Sequence, residues 1–106
     1  MYDLKWSESE KKVARRAFEA ALSAELSEVI AEFKARATAA AEPDDLWSIQ
    51  EHLYHKRREI DEKYDYRYSQ LLMVFGKLVR EGRLQEAQLA GLAEEKLSYI
   101  RRIVSL

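Results

Sequence analysis

Residues 18–33 read FEAALSAELSEVIAEF, and their apolar positions set the fold class. Phe18, Leu22, Leu26, Val29, Ile30 and Phe33 recur in steps of three and four, the spacing of one stripe on an α-helix. The steps from Leu22 through Leu26 and Val29 to Phe33 approach a coiled-coil seam. Upstream, Ser7 and Glu10 have capping-box spacing: the hydroxyl can accept from the Glu10 amide while the carboxylate reaches back. Downstream, the Ala-rich tail can stay helical through Ala41, until Pro43 pushes the preceding residue out of the α region. One helix from Ser7 to about Ala41 is expected.

A second helix starts at Glu42-Pro43-Asp44-Asp45. Proline suits a first-turn position, and the acids complement the positive end of the helix dipole. Leu46, Ile49, Leu53, Ile60 and Tyr64 form its stripe, and Leu71, Phe75 and Leu78 continue it. The spacing therefore predicts a helix running toward Glu81, unless it wobbles around residues 65–69 or kinks at 64–69 and folds back, which would weaken the case for a dimer of long rods. Gly76 is tolerable inside it, at about 1 kcal/mol relative to Ala, and Gly82 is the natural terminator. Leu84 to Ala90 has room for a turn or two, and Gly91 resets the chain. Glu94 and Glu95 then open a last helix with Leu97, Ile100 and Val104 on one face. Arg101 and Arg102 stand where cations favour a helix C-terminus.

Composition agrees with an all-α chain. Of the 106 residues, 47% are hydrophobic and 35% charged, with only three Gly and one Pro to punctuate strands. A helix over residues 7–41 is roughly 50 Å long at 1.5 Å per residue, whereas a compact domain of this size has a radius of gyration near 13 Å. Two such rods cannot both be covered by the residues after Gly82. A second copy about a two-fold axis is the simplest cover. The expected architecture is one all-α domain, residues 1–106, forming an elongated homodimer of two long antiparallel helices with a small C-terminal helical head. Its dimerisation part spans about 7–68 and its head about 69–106. Leu22, Leu26, Val29, Ile30 and Phe33, with Trp47 and Leu53 from the second helix, are the expected dimer interface.

The chemistry is sparse. Net charge is −1 with no cysteine, so no overall field favours nucleic acid or lipid, and thiol catalysis and disulfides are excluded. MYDLKWSESEKK lacks an apolar leader core, and no stretch approaches a membrane span; the expectation is a cytoplasmic protein without membrane insertion. His52 and His55 lie three apart, without a paired metal motif around them; no metal, cofactor or catalytic site is expected. Lys56, Arg57 and Arg58 are balanced at once by Glu59, Asp61 and Glu62, which reads as a solvated face before it reads as a phosphate site. Trp47 is compatible with core or with contact, since Trp and Arg dominate binding hot spots. Gln50, Glu51 and Tyr54 complete the helical surface beside it, with Arg57 further along. Phe75 reads as head core, while Met73 lies off the stripe and suits a contact face. Tyr64, Tyr66 and Tyr68 cannot all face one way, so at least one points to solvent or a partner.

Taken together, DDLW, KRREIDEKYDYRYS and LLMVFGKLVREG resemble the cyanobacterial fluorescence recovery protein family, and the likeness spans most of the chain. It implies an all-α homodimer that is not an enzyme in the usual sense. Members bind the photoactivated red form of the orange carotenoid protein, chiefly through its C-terminal domain. They speed its return to the orange form and promote its release from the phycobilisome. By position the family's Trp is Trp47 and its Arg is Arg57, and Asp45, Glu59, Asp61, Lys63, Tyr64 and Asp65 also match. The implied partner-binding residues are Trp47, Gln50, Glu51, Arg57 and Met73. Gln50 and Glu51 replace the family's His and Asp, Tyr54 and His55 its small residues, and Glu62 its Gly. These departures leave open a related helical dimerisation or scaffold protein with a different client.

Overall fold

In the computed structural model, which describes residues 5–106, the chain folds as an elongated all-α molecule of 53 × 24 × 24 Å with a radius of gyration of 16.9 Å. Helix α1 covers Glu8–Ala39. Its start is the expected capping box: the Glu10 amide donates to Ser7 Oγ at 3.1 Å, and the Ser7 amide donates to Glu10 Oε1 at 3.0 Å. It stops at Ala39, slightly before the expected end: Ala40 is already extended, and Glu42, directly before the proline, is extended as that position requires.

Helix α2 covers Pro43–Lys63, with Pro43 in its first turn. The Asp45 carboxylate accepts from the Ala41 and Glu42 amides at 2.8 and 2.9 Å, satisfying donors the helix start leaves open. After this tight corner α2 returns antiparallel along α1. Accordingly His52 meets Glu32, and Lys63 meets Glu25.

The second helix does not continue toward Glu81. It ends at Lys63, residues 64–67 are non-helical, and α3 begins at Leu71. Tertiary contacts cause the break. The Tyr64 hydroxyl donates to Glu25 at 2.8 Å. Tyr66 sets its ring edge-on to Phe18, with centroids 4.8 Å apart, and receives the Arg15 guanidinium on its face. These contacts turn the chain back onto α1. The Arg67 carbonyl then accepts from the amides of Gln70 and Leu71, starting α3.

Helix α3, Leu71–Arg80, packs against α4, Glu94–Val104, with a 3-10 turn at Glu86–Leu89 between them. Phe75, Leu71, Leu78, Leu84, Leu89 and Ile100 are completely or almost completely buried, each side chain contributing roughly 1.5–3 kcal/mol. Gly82 and Gly91 hold φ of 78° and 109°, the left-handed region that other residues avoid. The head is not a C-terminal unit by itself. Ala14, Ala17, Phe18 and Ala21 of α1 belong to the same core cluster. The apolar stripe of α1 therefore divides: Phe18 is head core, while Leu26, Ile30 and Phe33 are 41%, 54% and 42% exposed. Leu46, read as part of the second helix's stripe, is likewise exposed.

Buried charge ties the head to α1. Lys96 Nζ lies 3.0 Å from Glu10 Oε2, donates to the Lys5 carbonyl and stands over the Trp6 ring. The Ala93 amide also donates to Glu10, at 2.9 Å. Burial alone would raise the Glu10 pKa. The amides of Ser7 and Ala93 and the Lys96 ammonium override it and hold the carboxyl at about 2.

Candidate partner-binding site

Beyond the head, α1 and α2 leave an open groove of about 720 Å³, lined by Leu22, Leu26, Val29, Leu53, Lys56, Arg57, Ile60, Asp61 and Tyr64. Four of the expected interface residues, Leu22, Leu26, Val29 and Leu53, come together here. Ile30, Phe33 and Trp47 remain exposed outside its lining. Trp47 is 62% exposed, so the core reading of this side chain is excluded within one chain.

Of the residues expected to contact a partner, Arg57 alone lines the groove. Its guanidinium lies 3.7 Å from Asp61, both side chains being well exposed, so the pair is too solvated to lock either group. Gln50 and Glu51 are exposed on α2, where Glu51 lies 3.8 Å from His55. Met73 is exposed on α3, in the head, and takes no part in the groove. Arg58 reaches Glu62 at 3.9 Å, as the spacing of charges in this helix anticipates. Among the described residues, no group of carboxylates and histidines is arranged to hold a metal ion, and no helix is long and apolar enough to cross a membrane.

One end of the groove rests on a polar node that sequence reasoning misses. Glu25 is 2% exposed. It receives Lys63 Nζ at 2.8 Å, the Tyr64 hydroxyl at 2.8 Å and Arg83 Nε at 3.3 Å, with Lys56 Nζ at 3.9 Å. Lys63 also meets Glu81 at 2.9 Å, and Arg83 meets Glu28 at 2.8 Å. With Glu59, which Lys56 meets at 3.5 Å, four carboxylates face three cations. Burial would raise the Glu25 pKa, but the hydrogen bonds from Lys63 and Tyr64 win and lower it. Burial and the Glu25 carboxylate push the Tyr64 phenol well up, so it stays protonated as a donor. The signal for Glu25 was its spacing, four residues after Ala21 and seven after Phe18, on the inner face of α1.

An exposed apolar stripe thus lies beside a buried ion-pair node. Comparison with known proteins gives this surface its context. Residues 6–104 match the family described as the photoprotection regulator fluorescence recovery protein. The chain belongs to the fluorescence recovery protein family. It is 39% identical over 101 residues to the fluorescence recovery protein of Synechocystis sp., covering 95% of this chain and 93% of that one. The solved Fremyella diplosiphon fluorescence recovery protein superposes with a TM-score of 0.91 at 37% identity, covering 96% of this chain and all of that one. The solved Synechocystis protein superposes at 0.90, with 38% identity and the same coverage. The break after Lys63 and the head built on α1 thus belong to a fold shared with solved family members.

Proposed function

We propose that this chain regulates photoprotection as a two-fold homodimer. It binds the photoactivated orange carotenoid protein through that protein's C-terminal domain. It thereby accelerates return to the resting orange form and promotes detachment from the phycobilisome. The carrying observation is the family likeness along nearly the whole chain, with Trp47 and Arg57 both exposed on α2. Such a regulator works by preferring the separated-domain state, or the barrier leading back from it, over the resting state. Trp47, Gln50, Glu51, Arg57 and the head residue Met73 are the proposed contacts. A site of action in the cytoplasm, on the cytoplasmic face of thylakoids, follows from the same reading.

Dimerisation is supported by Leu26, Ile30 and Phe33 of the α1 stripe and by Leu46 and Trp47 on α2, all exposed in the single chain. Large apolar side chains left exposed in such number favour an interaction site. The test of function is dark recovery: photoactivated red carotenoid protein is mixed with this protein and its absorbance followed. Faster recovery at micromolar protein is expected; an unchanged rate overturns the proposal.

Tyr54, 58% exposed between Trp47 and Arg57, favours a second reading in which the same dimer serves another client. An unchanged recovery rate, together with capture of a different partner that Trp47→Ala abolishes, selects it.

A further inference from the structure

The N-terminal half of α1 carries a different surface from the apolar stripe. Lys11, Lys12, Arg15 and Arg16 border a second groove, of about 440 Å³, whose other wall is Tyr66 and Tyr68. The Arg15 guanidinium lies 3.8 Å from the centre of the Tyr66 ring, and the Lys11 ammonium 5.5 Å from that of Tyr68. Trp6 extends this aromatic wall, its ring centre 5.5 Å from Tyr68. Lys11 and Arg15 reach Glu8 and Glu19 only loosely, at 3.4 and 3.9 Å, with exposed partners. Among the described residues, Lys12 and Arg16 form no ion pair. Tyr66 lines this groove with its ring beneath Arg15, while its hydroxyl is buried.

We infer that this groove docks a short acidic segment of a protein partner, carrying two or three carboxylates. This inference does not rest on the dimer or on the carotenoid protein as client. Four cations against Glu8 and Glu19 leave a local excess of two positive charges. Their extent along the helix, from Lys11 to Arg16, is roughly 7–8 Å, the length of two or three extended residues. Glu8 and Glu19 close the strip at its two ends, so a polyanion lying along α1 meets a carboxylate at each. The whole chain has a net charge of −1 and gives nucleic acid or an anionic bilayer no long-range attraction. The aromatic wall holds Arg15 by cation–π contact, so part of the site is organised before the ligand arrives.

The test is fluorescence polarisation of the full chain with a fluorescein-labelled Gly-Glu-Asp-Glu-Gly peptide, against its Gln/Asn counterpart. Saturable binding of the acidic peptide and none of the amide peptide is expected. Lys12→Gln with Arg16→Gln weakens binding about tenfold, whereas Lys77→Gln with Arg80→Gln, an exposed basic pair on α3, leaves it within about twofold. Equal weakening by both basic pairs overturns the inference. Tighter binding of duplex DNA or phosphatidylserine vesicles than of the peptide also overturns it.

Discussion

Gly76 of α3 lies so close to Ile103 of α4 that a Cβ built on it would stand 2.7 Å from the Ile103 Cβ. The absent side chain is what lets the two head helices approach. Gly76→Ala is therefore expected to destabilise the protein by about 1–3 kcal/mol through overpacking, even though Ala is the better helix former. Urea unfolding measures it, and a stabilised variant would show that the helices separate readily.

The Glu10–Lys96 pair predicts acid sensitivity. A carboxylate whose folded pKa lies below its unfolded value stabilises the fold fully above the unfolded value, then loses that contribution as pH falls through the folded one. Here the window runs from the ordinary 4.5 down to about 2, a difference corresponding to about 3 kcal/mol. Glu25, also lowered, acts with the same sign. Glu10→Gln is expected to flatten this part of the stability–pH curve, as followed by urea midpoints from about pH 2 to about pH 6; an unchanged slope refutes it.

Removing the carboxylate of Glu25 leaves the Tyr64 hydroxyl without its acceptor, while Lys63 keeps Glu81 and Arg83 keeps Glu28. Glu25→Ala should cost about 1–3 kcal/mol, the penalty for leaving a buried polar group unsatisfied. A loss below about 1 kcal/mol, the range of exposed pairs, would mean that water already screens the node.

Phe33 contributes to no core within the chain, being 42% exposed. Phe33→Glu should keep the helical circular dichroism signal while shifting sedimentation toward the 12.4 kDa monomer. A dimer that survives places the interface elsewhere.

Arg57 is exposed and its partner Asp61 is exposed too, so Arg57→Leu should change global stability by no more than about 0.5 kcal/mol. It is expected to slow the acceleration of dark recovery without dissociating the dimer. Loss of the dimer in this variant would make Arg57 a structural residue of the groove.

Local chemistry was legible where it acts locally. Ser7 and Glu10, Pro43, Gly82 and Gly91 each mark a boundary through backbone geometry, and the structure obeys them. Phe75 announced itself as core by spacing. The end of α2 was not legible, because KYDYRYS contains neither Gly nor Pro. Its break is made by Glu25 and Phe18, some 40–50 residues earlier. For the same reason nothing in the local charge pattern marks Glu25 or Lys96 as buried, because their partners lie far along the chain. Gly76 looked merely tolerable, because what requires it is a neighbouring helix. For the site, the sequence displayed the members of the groove, while their exposure and the node beneath them depend on how α2 ends.

Because α1 supplies Ala14, Ala17, Phe18 and Ala21 to the head and then runs on as half of the hairpin, stem and head share one backbone spine. Residues 69–106 expressed separately would lack a wall of their own interior and collapse into a sticky, loosely ordered peptide. Any force or ligand that bends the stem is transmitted directly into the head, with no flexible linker in α1 to absorb it.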